Sequence, residues 1–174
     1  MENMNHVPYN IFLIGFMGAG KTTVSASLAK RLNMDCVETD QLIVDKMKMS
    51  INDIFAQYGE PYFRDIESNT LIELQQRGGT VVSCGGGIAM RPENSKHMKK
   101  NGRVVLLAVS PEAVYDHIKG STDRPVLKGH MNIPYIAELM EKRRPYYEAT
   151  ADITVLTDQK TVSEICDEII AKLG

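Results

Sequence analysis

Ile11-Phe12-Leu13-Ile14-Gly15-Phe16-Met17-Gly18-Ala19-Gly20-Lys21-Thr22 is the stretch whose reading decides the architecture of this 174-residue chain. Four consecutive apolar residues read as a fully buried strand, and a glycine-rich turn follows at once. Val24, Leu28, Ala29 and Leu32 then recur at helical spacing. The turn satisfies G-x-x-x-x-G-K-[ST] in the strand–turn–helix setting that the motif requires. Its glycines let the backbone turn tightly and aim successive N–H groups at phosphate oxygens, and the helix adds its positive end. Lys21 supplies a point charge for the outer phosphates, and the Thr22 hydroxyl can ligate Mg²⁺. At average composition the fixed positions match at roughly 4 in 100,000 starts, or about 0.6% of chains this long. A glycine turn with a surface lysine is therefore a poor competitor to a nucleotide-binding loop spanning Gly18, Ala19, Gly20, Lys21, Thr22 and Thr23.

Working outward, the same alternation continues. Asp35-Cys36-Val37-Glu38 is a weak strand candidate after the first helix. Thr80-Val81-Val82-Ser83 is a β-rich run ending in Gly85-Gly86-Gly87, and Arg103 to Val109 holds the most apolar strand. Ser110-Pro111 reads as an N-cap with a first-turn proline. Ile153-Thr154-Val155-Leu156 is a late strand. The last helix opens with a capping box, Thr161 and Glu164, and lines Val162, Ile165, Ile169, Ile170 and Leu173 along one face. About five strands alternating with helices predict an α/β fold, a parallel sheet covered on both faces. Ligands in such sheets gather at the C-terminal ends of the strands. Residues 120–132 lack apolar periodicity and read as a mobile loop of lid type.

Composition narrows the classes. Hydrophobic residues make up 43% and charged residues 24%, as in one soluble globular domain, and the net charge of -2 gives no global field for nucleic acid or an anionic membrane. Met1 to Pro8 carries no apolar signal core, and no run approaches the ~18 apolar residues of a membrane span. Cys36, Cys84 and Cys166 are odd in number and without metal spacing, so they read as reduced, mostly buried thiols of a cytoplasmic protein. His6, His97 and His130 show no ligand spacing. No apolar stripe is left over after the core helices are assigned, which predicts a monomer.

Several polar residues just after strands could serve an acceptor. Asp40 could take or orient the proton of an attacking hydroxyl, or could cap the helix that begins at Gln41. Arg64 and Glu67 share one face of a helix predicted from about Pro61 to Arg77. The guanidinium suits a carboxylate, although a surface ion pair has the same spacing. Gly85, Gly86 and Gly87 permit close approach of a ligand to the backbone, or form a plain turn. Arg124 lies in the loop, placed to meet charge spreading over a transferring phosphoryl group. Arg143-Arg144-Pro145 ends a helix that begins near Ile133, and its two arginines diverge by ~100°, so one of them is solvated. Tyr146 and Tyr147 belong to the pocket base or to the core.

These residues, in this order and spacing, resemble the shikimate kinase family along nearly the whole chain. The resemblance is carried by the Gly15–Thr22 loop, Glu38-Thr39-Asp40, Ser50-Ile51-Asn52-Asp53-Ile54-Phe55 with Gly59-Glu60, Phe63-Arg64-Asp65-Ile66-Glu67, Cys84-Gly85-Gly86-Gly87, Arg124-Pro125-Val126-Leu127 and Arg143-Arg144-Pro145-Tyr146-Tyr147. It implies a five-stranded parallel sheet in the order 2-3-1-4-5, in one domain. Residues from about 50 to 77 would bind the acceptor, and those from about 120 to 132 would form the lid. It also implies transfer of a phosphoryl group from ATP, with Mg²⁺, to shikimate. Asp40 would activate the hydroxyl, Arg64 and Arg143 would clamp the carboxylate, and Gly86 would donate from its backbone. Arg124 would meet the γ-phosphate. Two positions depart from the family: Glu38 stands where an aspartate is usual, and His117 where an arginine often stacks on adenine. By the same resemblance the other adenine contacts would fall near Asp158 to Thr161, without assignment to particular residues. The competing readings are a kinase for another small polyol acid, such as gluconate, and a non-catalytic nucleotide-binding module.

Removing the point charge of the loop gives the first test. Lys21→Ala is expected to abolish phosphoryl transfer in a coupled ADP-release assay, and full activity in that variant would refute the assignment of the loop.

Overall fold

The sheet is built outward from the strand that opens the phosphate-binding motif. The computed structural model describes residues 7–119 and 132–174. In chain order the elements are β1 (Asn10–Ile14), α1 (Lys21–Leu32), β2 (Asp35–Glu38), α2 (Thr39–Met47), α3 (Ile51–Tyr58), α4 (Glu60–Leu74), β3 (Thr80–Ser83), a short 3-10 turn (Ile88–Met90), α5 (Pro92–Lys99), β4 (Gly102–Ala108), α6 (Pro111–Ile118), α7 (Ile133–Thr150), β5 (Ile153–Leu156) and α8 (Val162–Leu173). The strands lie in the order β2-β3-β1-β4-β5, and every adjacent pair is parallel. All five residues of β1 are buried, because a central parallel strand is covered on both faces.

Alternate side chains of β1 feed two cores. Ile11 and Leu13 pack with Val24 and Leu28 of α1 and Ile165 and Ile169 of α8. Phe12 and Ile14 pack with Leu71 and Leu74 of α4, Met98 of α5 and Tyr147 of α7. Side-chain caps start four of the helices. Ser50, Ser110 and Asn132 accept from the N–H three residues on, and Thr161 with Glu164 makes the reciprocal capping box.

Three expectations need correction. Cys36 is exposed, because β2 is an edge strand whose residues are only partly covered. The helix at Arg64 ends at Leu74, short of Arg77. Beyond Leu74 the N–H groups of Gln75, Gln76 and Arg77 reach back only three residues, the tightened pattern of a helix end. Asn10 fixes that end: its Nδ2 donates to the carbonyls of Leu74 (3.0 Å) and Arg77 (2.9 Å). Finally, α7 does not stop at Arg143-Arg144-Pro145 but runs through Pro145 to Thr150. Proline removes one helical N–H. The next turn is nevertheless fixed by tertiary contacts, since Tyr147 and Thr150 are buried and the Tyr147 hydroxyl donates to the carbonyl of Gly86. Arg124 and the rest of residues 120–131 lie outside the described residues, as do His6 and His130. Among the described residues no helix is long and apolar enough to cross a membrane.

Asn10 also accepts from the N–H of Thr80 at 3.1 Å, so one fully buried amide joins β1, the end of α4 and the start of β3. Truncating it leaves buried backbone groups unpaired. Asn10→Ala should lower the unfolding free energy by about 2–4 kcal/mol in urea titration.

Candidate active site

Two cavities open at the C-terminal ends of the strands and share Asp40, Gly85 and Gly86 as their common wall. The first, of about 660 Å³, is lined by Gly18 to Val24, Glu38, His117 and the segment Thr157 to Lys160. The second, of about 440 Å³, is lined by Met17, Ser50, Phe55, Phe63, Arg64, Glu67, Gly87 and Arg143 among others.

The first cavity is shaped for phosphate. Gly18 (φ +82°) and Gly20 (φ +91°) take the left-handed conformation that only glycine adopts freely, and Gly20 is the N-cap of α1. That end of α1 has no side-chain cap and no acidic residue in its first turn. Its orphan N–H groups and positive helix end therefore face the cavity. The Lys21 ammonium donates to the carbonyls of Gly15 (2.6 Å) and Phe16 (3.1 Å), which lays it along the loop. The far wall is tied down through Asp158, whose carboxylate accepts from the N–H of Ser110 at 2.9 Å.

The second cavity is organised by the glycines after β3, whose closest neighbours include the site's own side chains. A Cβ on Gly85 would stand 2.7 Å from Asp40 Oδ1 and 2.9 Å from Glu67 Oε2. On Gly87 it would lie 2.5 Å from both terminal nitrogens of Arg64, and on Gly86 3.5 Å from Arg143 Nη1. Space is the reason for glycine at Gly85 and Gly87, where a side chain would displace a charged group, whereas at Gly86 it would make an ordinary contact. The loop itself is pinned: Gly85 N–H donates to the buried Thr39 hydroxyl (3.0 Å), and the Gly86 carbonyl accepts from Tyr147.

Asp40 lies in the first turn of α2, which begins at Thr39 with Glu38 as N-cap, so the capping role considered for it does not apply. Arg64 and Glu67 form no surface pair. Arg64 Nη1 donates to Glu67 Oε1 at 2.7 Å, and the Glu67 side chain is 0% exposed. Glu60 adds a second contact to Arg64 at 3.0 Å. Arg143 is buried and lies 5.4 Å from the centre of the Phe16 ring, a cation–π arrangement. Its neighbour Arg144 is exposed and pairs with Glu141. Tyr147 is buried and Tyr146 exposed.

Electrostatics set these charges against one another. Burial pushes the Glu67 carboxyl up to about 7, against the pull of Arg64 and with the carboxylate of Asp40 adding to the rise. Burial works against the charge of Arg64, but Glu67 and Glu60 outweigh it and raise its pKa above the usual arginine value. Burial likewise raises the Tyr147 phenol, which stays protonated and able to donate to Gly86. Among the described residues the buried side-chain atoms without a hydrogen-bond partner are Glu67 Oε2 and Arg143 Nη1. Both residues line the second cavity. Buried polar atoms are nearly always paired, so an unpaired acceptor and an unpaired cationic donor at one cavity suit a ligand bearing both a hydroxyl and an acid group.

Among the described residues no group of three or more His, Cys, Asp or Glu could hold a metal by itself. Thr22, Glu38 and Asp40 do share the first cavity. Hard oxygens in that small number fit Mg²⁺ arriving with a phosphate ligand. Of the residues expected from sequence, the structure brings Asp40, Arg64, Gly85, Gly86, Gly87 and Arg143 around one cavity and Gly18 to Thr23 with His117 around the other. Thr39 and Phe16 were given no site role of their own from sequence, while Glu67 was read only as a partner of Arg64 and Tyr147 as pocket base or core. Glu67 was legible at three positions after Arg64, and Tyr147 at four after Arg143.

A family model described as shikimate kinase matches residues 17–174. The chain is 46% identical to the shikimate kinase of Sulfurihydrogenibium sp., over 94% of this chain and 97% of that one. It is 43% identical to the shikimate kinase of Dehalococcoides mccartyi, over 94% and 93%. Among solved structures, shikimate kinase from Acinetobacter baumannii in complex with shikimate superposes with a TM-score of 0.91 at 32% identity, covering 96% of this chain and 93% of that one.

The raised pKa of Glu67 makes a stability prediction with a definite sign. The folded state favours its protonated form, so this contribution is full below the unfolded value of 4.5 and is lost as pH rises through about 7. Glu67→Gln carries no such titration. Between pH 5 and pH 8 the unfolding free energy of the parent should fall relative to Glu67→Gln by about 2–3 kcal/mol in paired denaturant titrations.

Proposed function

The chain belongs to the shikimate kinase family, and on that premise we propose that it transfers the γ-phosphoryl group of ATP to the 3-hydroxyl of shikimate, giving ADP and shikimate 3-phosphate in aromatic amino acid synthesis. The observation that carries the substrate is the buried, unpartnered Arg143 Nη1 at a cavity also lined by Arg64, Glu67 and Asp40. A carboxylate answers the two guanidinium groups, and hydroxyls answer the two acids.

Transfer is direct. The acceptor oxygen forms a bond to the γ-phosphorus as the bond to the β–γ bridging oxygen breaks, and ADP leaves with those electrons. Asp40 receives the hydroxyl proton or orients it from the wall between the two cavities. Lys21 and the first-turn amides of α1 offset charge on the phosphates. Arg64 and Arg143, gripping the carboxylate, fix which hydroxyl faces the nucleotide, a positioning effect. Mg²⁺ bound with the phosphates would neutralise charge on the β- and γ-oxygens, and Thr22 with Glu38 and Asp40 would be the residues nearest to it. Arg124, outside the described residues, is assigned to the transferring group by family resemblance. His117 is assigned to the nucleotide side. Residues from about 50 to 77 act as the acceptor-binding part of a single domain, and those from about 120 to 132 as its lid. The working form is a cytoplasmic monomer.

ADP release should depend on shikimate and not on gluconate, and equal rates with and without shikimate would withdraw the substrate. Arg143→Ala should raise KM for shikimate by roughly 10- to 100-fold, in line with loss of a charge-assisted pair in a buried site, with KM for ATP within about threefold.

A further inference from the structure

The last turn of α6 meets the phosphate-binding loop at Phe16 and Gly18. A Cβ placed on Gly18 would stand 3.0 Å from Ile118 Cγ2 and 3.3 Å from the carbonyl oxygen of Val114. His117, on the same face of α6, brings its Nδ1 into hydrogen-bond contact with the carbonyl of Gly18. Positions 114, 117 and 118 have the i, i+3, i+4 spacing that forms one helical face. Val114 and Ile118 are buried in a cluster with Phe16, and His117 is the exposed, polar edge of that face.

A carbonyl only accepts, so His117 Nδ1 carries the proton in this contact. On the other side of the same peptide unit, Ala19 N–H donates to the carbonyl of Phe16 at 3.1 Å. The planar peptide between Gly18 and Ala19 is thus clamped at both ends, its C=O by His117 and its N–H by the loop. Fixing that plane restricts the neighbouring backbone at Gly18 and Gly20, two residues that line the first cavity. The start of α6 is anchored independently. Ser110 caps it, and Ser110 N–H is held by Asp158 after β5. The helix therefore acts as a strut from the end of the sheet to the phosphate loop.

We infer that His117 is a positioning residue that preorganises the phosphate loop by donating from Nδ1 to the Gly18 carbonyl, and that its imidazole face contributes little to base binding. This rests on the reading of Gly15–Thr22 as a nucleotide loop and deepens it. The two roles make different demands on the ligand. A loop clamp matters only for ligands that carry phosphates, whereas a stacking platform acts equally on any adenine compound.

The test measures adenosine, ADP and ATP binding by calorimetry, without acceptor, to the parent and to His117→Ala, His117→Phe and His117→Asn. His117→Phe keeps a flat ring and loses the donor. His117→Asn loses the ring and offers an amide N–H at the place of Nδ1. The expected result is a loss of roughly threefold to tenfold in ADP and ATP affinity for the Ala and Phe variants, the worth of one neutral hydrogen bond. Adenosine affinity should stay within about twofold, and Asn should recover most of the loss for ADP and ATP. Full ADP affinity in the Phe variant would overturn the inference, as would equal losses for adenosine and ADP or an unchanged Ala variant. A parent that bound adenosine but gained nothing from the phosphates of ADP would sink the nucleotide-loop reading itself, and the inference with it.

Discussion

Close approach between backbone and charge at Gly85-Gly86-Gly87 is the constraint from which the rest of the site follows. Each of these glycines faces a different ionic group: Asp40 and Glu67 at the first, Arg143 at the second, Arg64 at the third. They follow directly on the buried strand β3 and the buried Cys84, so their position is set by the sheet and not by the loop alone. Three helices then contribute the charges. Asp40 comes from α2, Arg64 and Glu67 from α4, and Arg143 from α7. Thr39 and Tyr147 fasten the same loop through Gly85 N–H and the Gly86 carbonyl, the wall between the two cavities. Rigid placement of reacting groups is the larger part of what such an enzyme can contribute, because phosphoryl transfer needs little covalent chemistry from the protein.

Burying ionic groups is costly unless each finds a partner. Arg64 has two acids within reach and keeps its charge, whereas Glu67, fully buried, is left with its carboxyl at about 7 and one oxygen unpaired. Arg143 is partly compensated by the face of Phe16. The empty hydrogen-bonding capacity of this pocket is therefore lopsided in a useful way. It asks for an anion and for hydroxyls at the same time, and a ligand with only one of these leaves a buried group unsatisfied. Because Phe16 belongs to the glycine-rich loop, its ring joins that loop to Arg143 at the wall of the second cavity.

Much of this was legible one element at a time. The strand–turn–helix at Ile11–Leu32, the capping box at Thr161 and the proline-started helix at Ser110 are local patterns, and local patterns survive folding when tertiary contacts agree with them. The failures share the opposite cause. Pro145 signals a helix end, but contacts of Tyr147 and Thr150 with the rest of the fold carry α7 past it. The end of α4 is set by Asn10, more than sixty residues away, which takes the carbonyls of Leu74 and of Arg77 beyond it. Cys36 reads as a core residue by type and is exposed by the edge position of its strand. Asp40 looks like a cap because the preceding strand is weak, yet α2 starts one residue before it.

The sequence by itself determined the alternation of strands and helices, the parallel sheet and the phosphate loop, because each depends on spacing along a short segment: period 2, period 3.6 or a fixed motif. With the family resemblance it also nominated Asp40, Arg64 and Arg143. Only the tertiary structure decided that these residues, up to 103 positions apart in the chain, face one cavity. It alone decided that Glu67 is buried and not a surface partner, and that His117 reaches Gly18. Burial and convergence are properties of space shared between distant segments, and no local pattern encodes how much water a given carboxyl will keep.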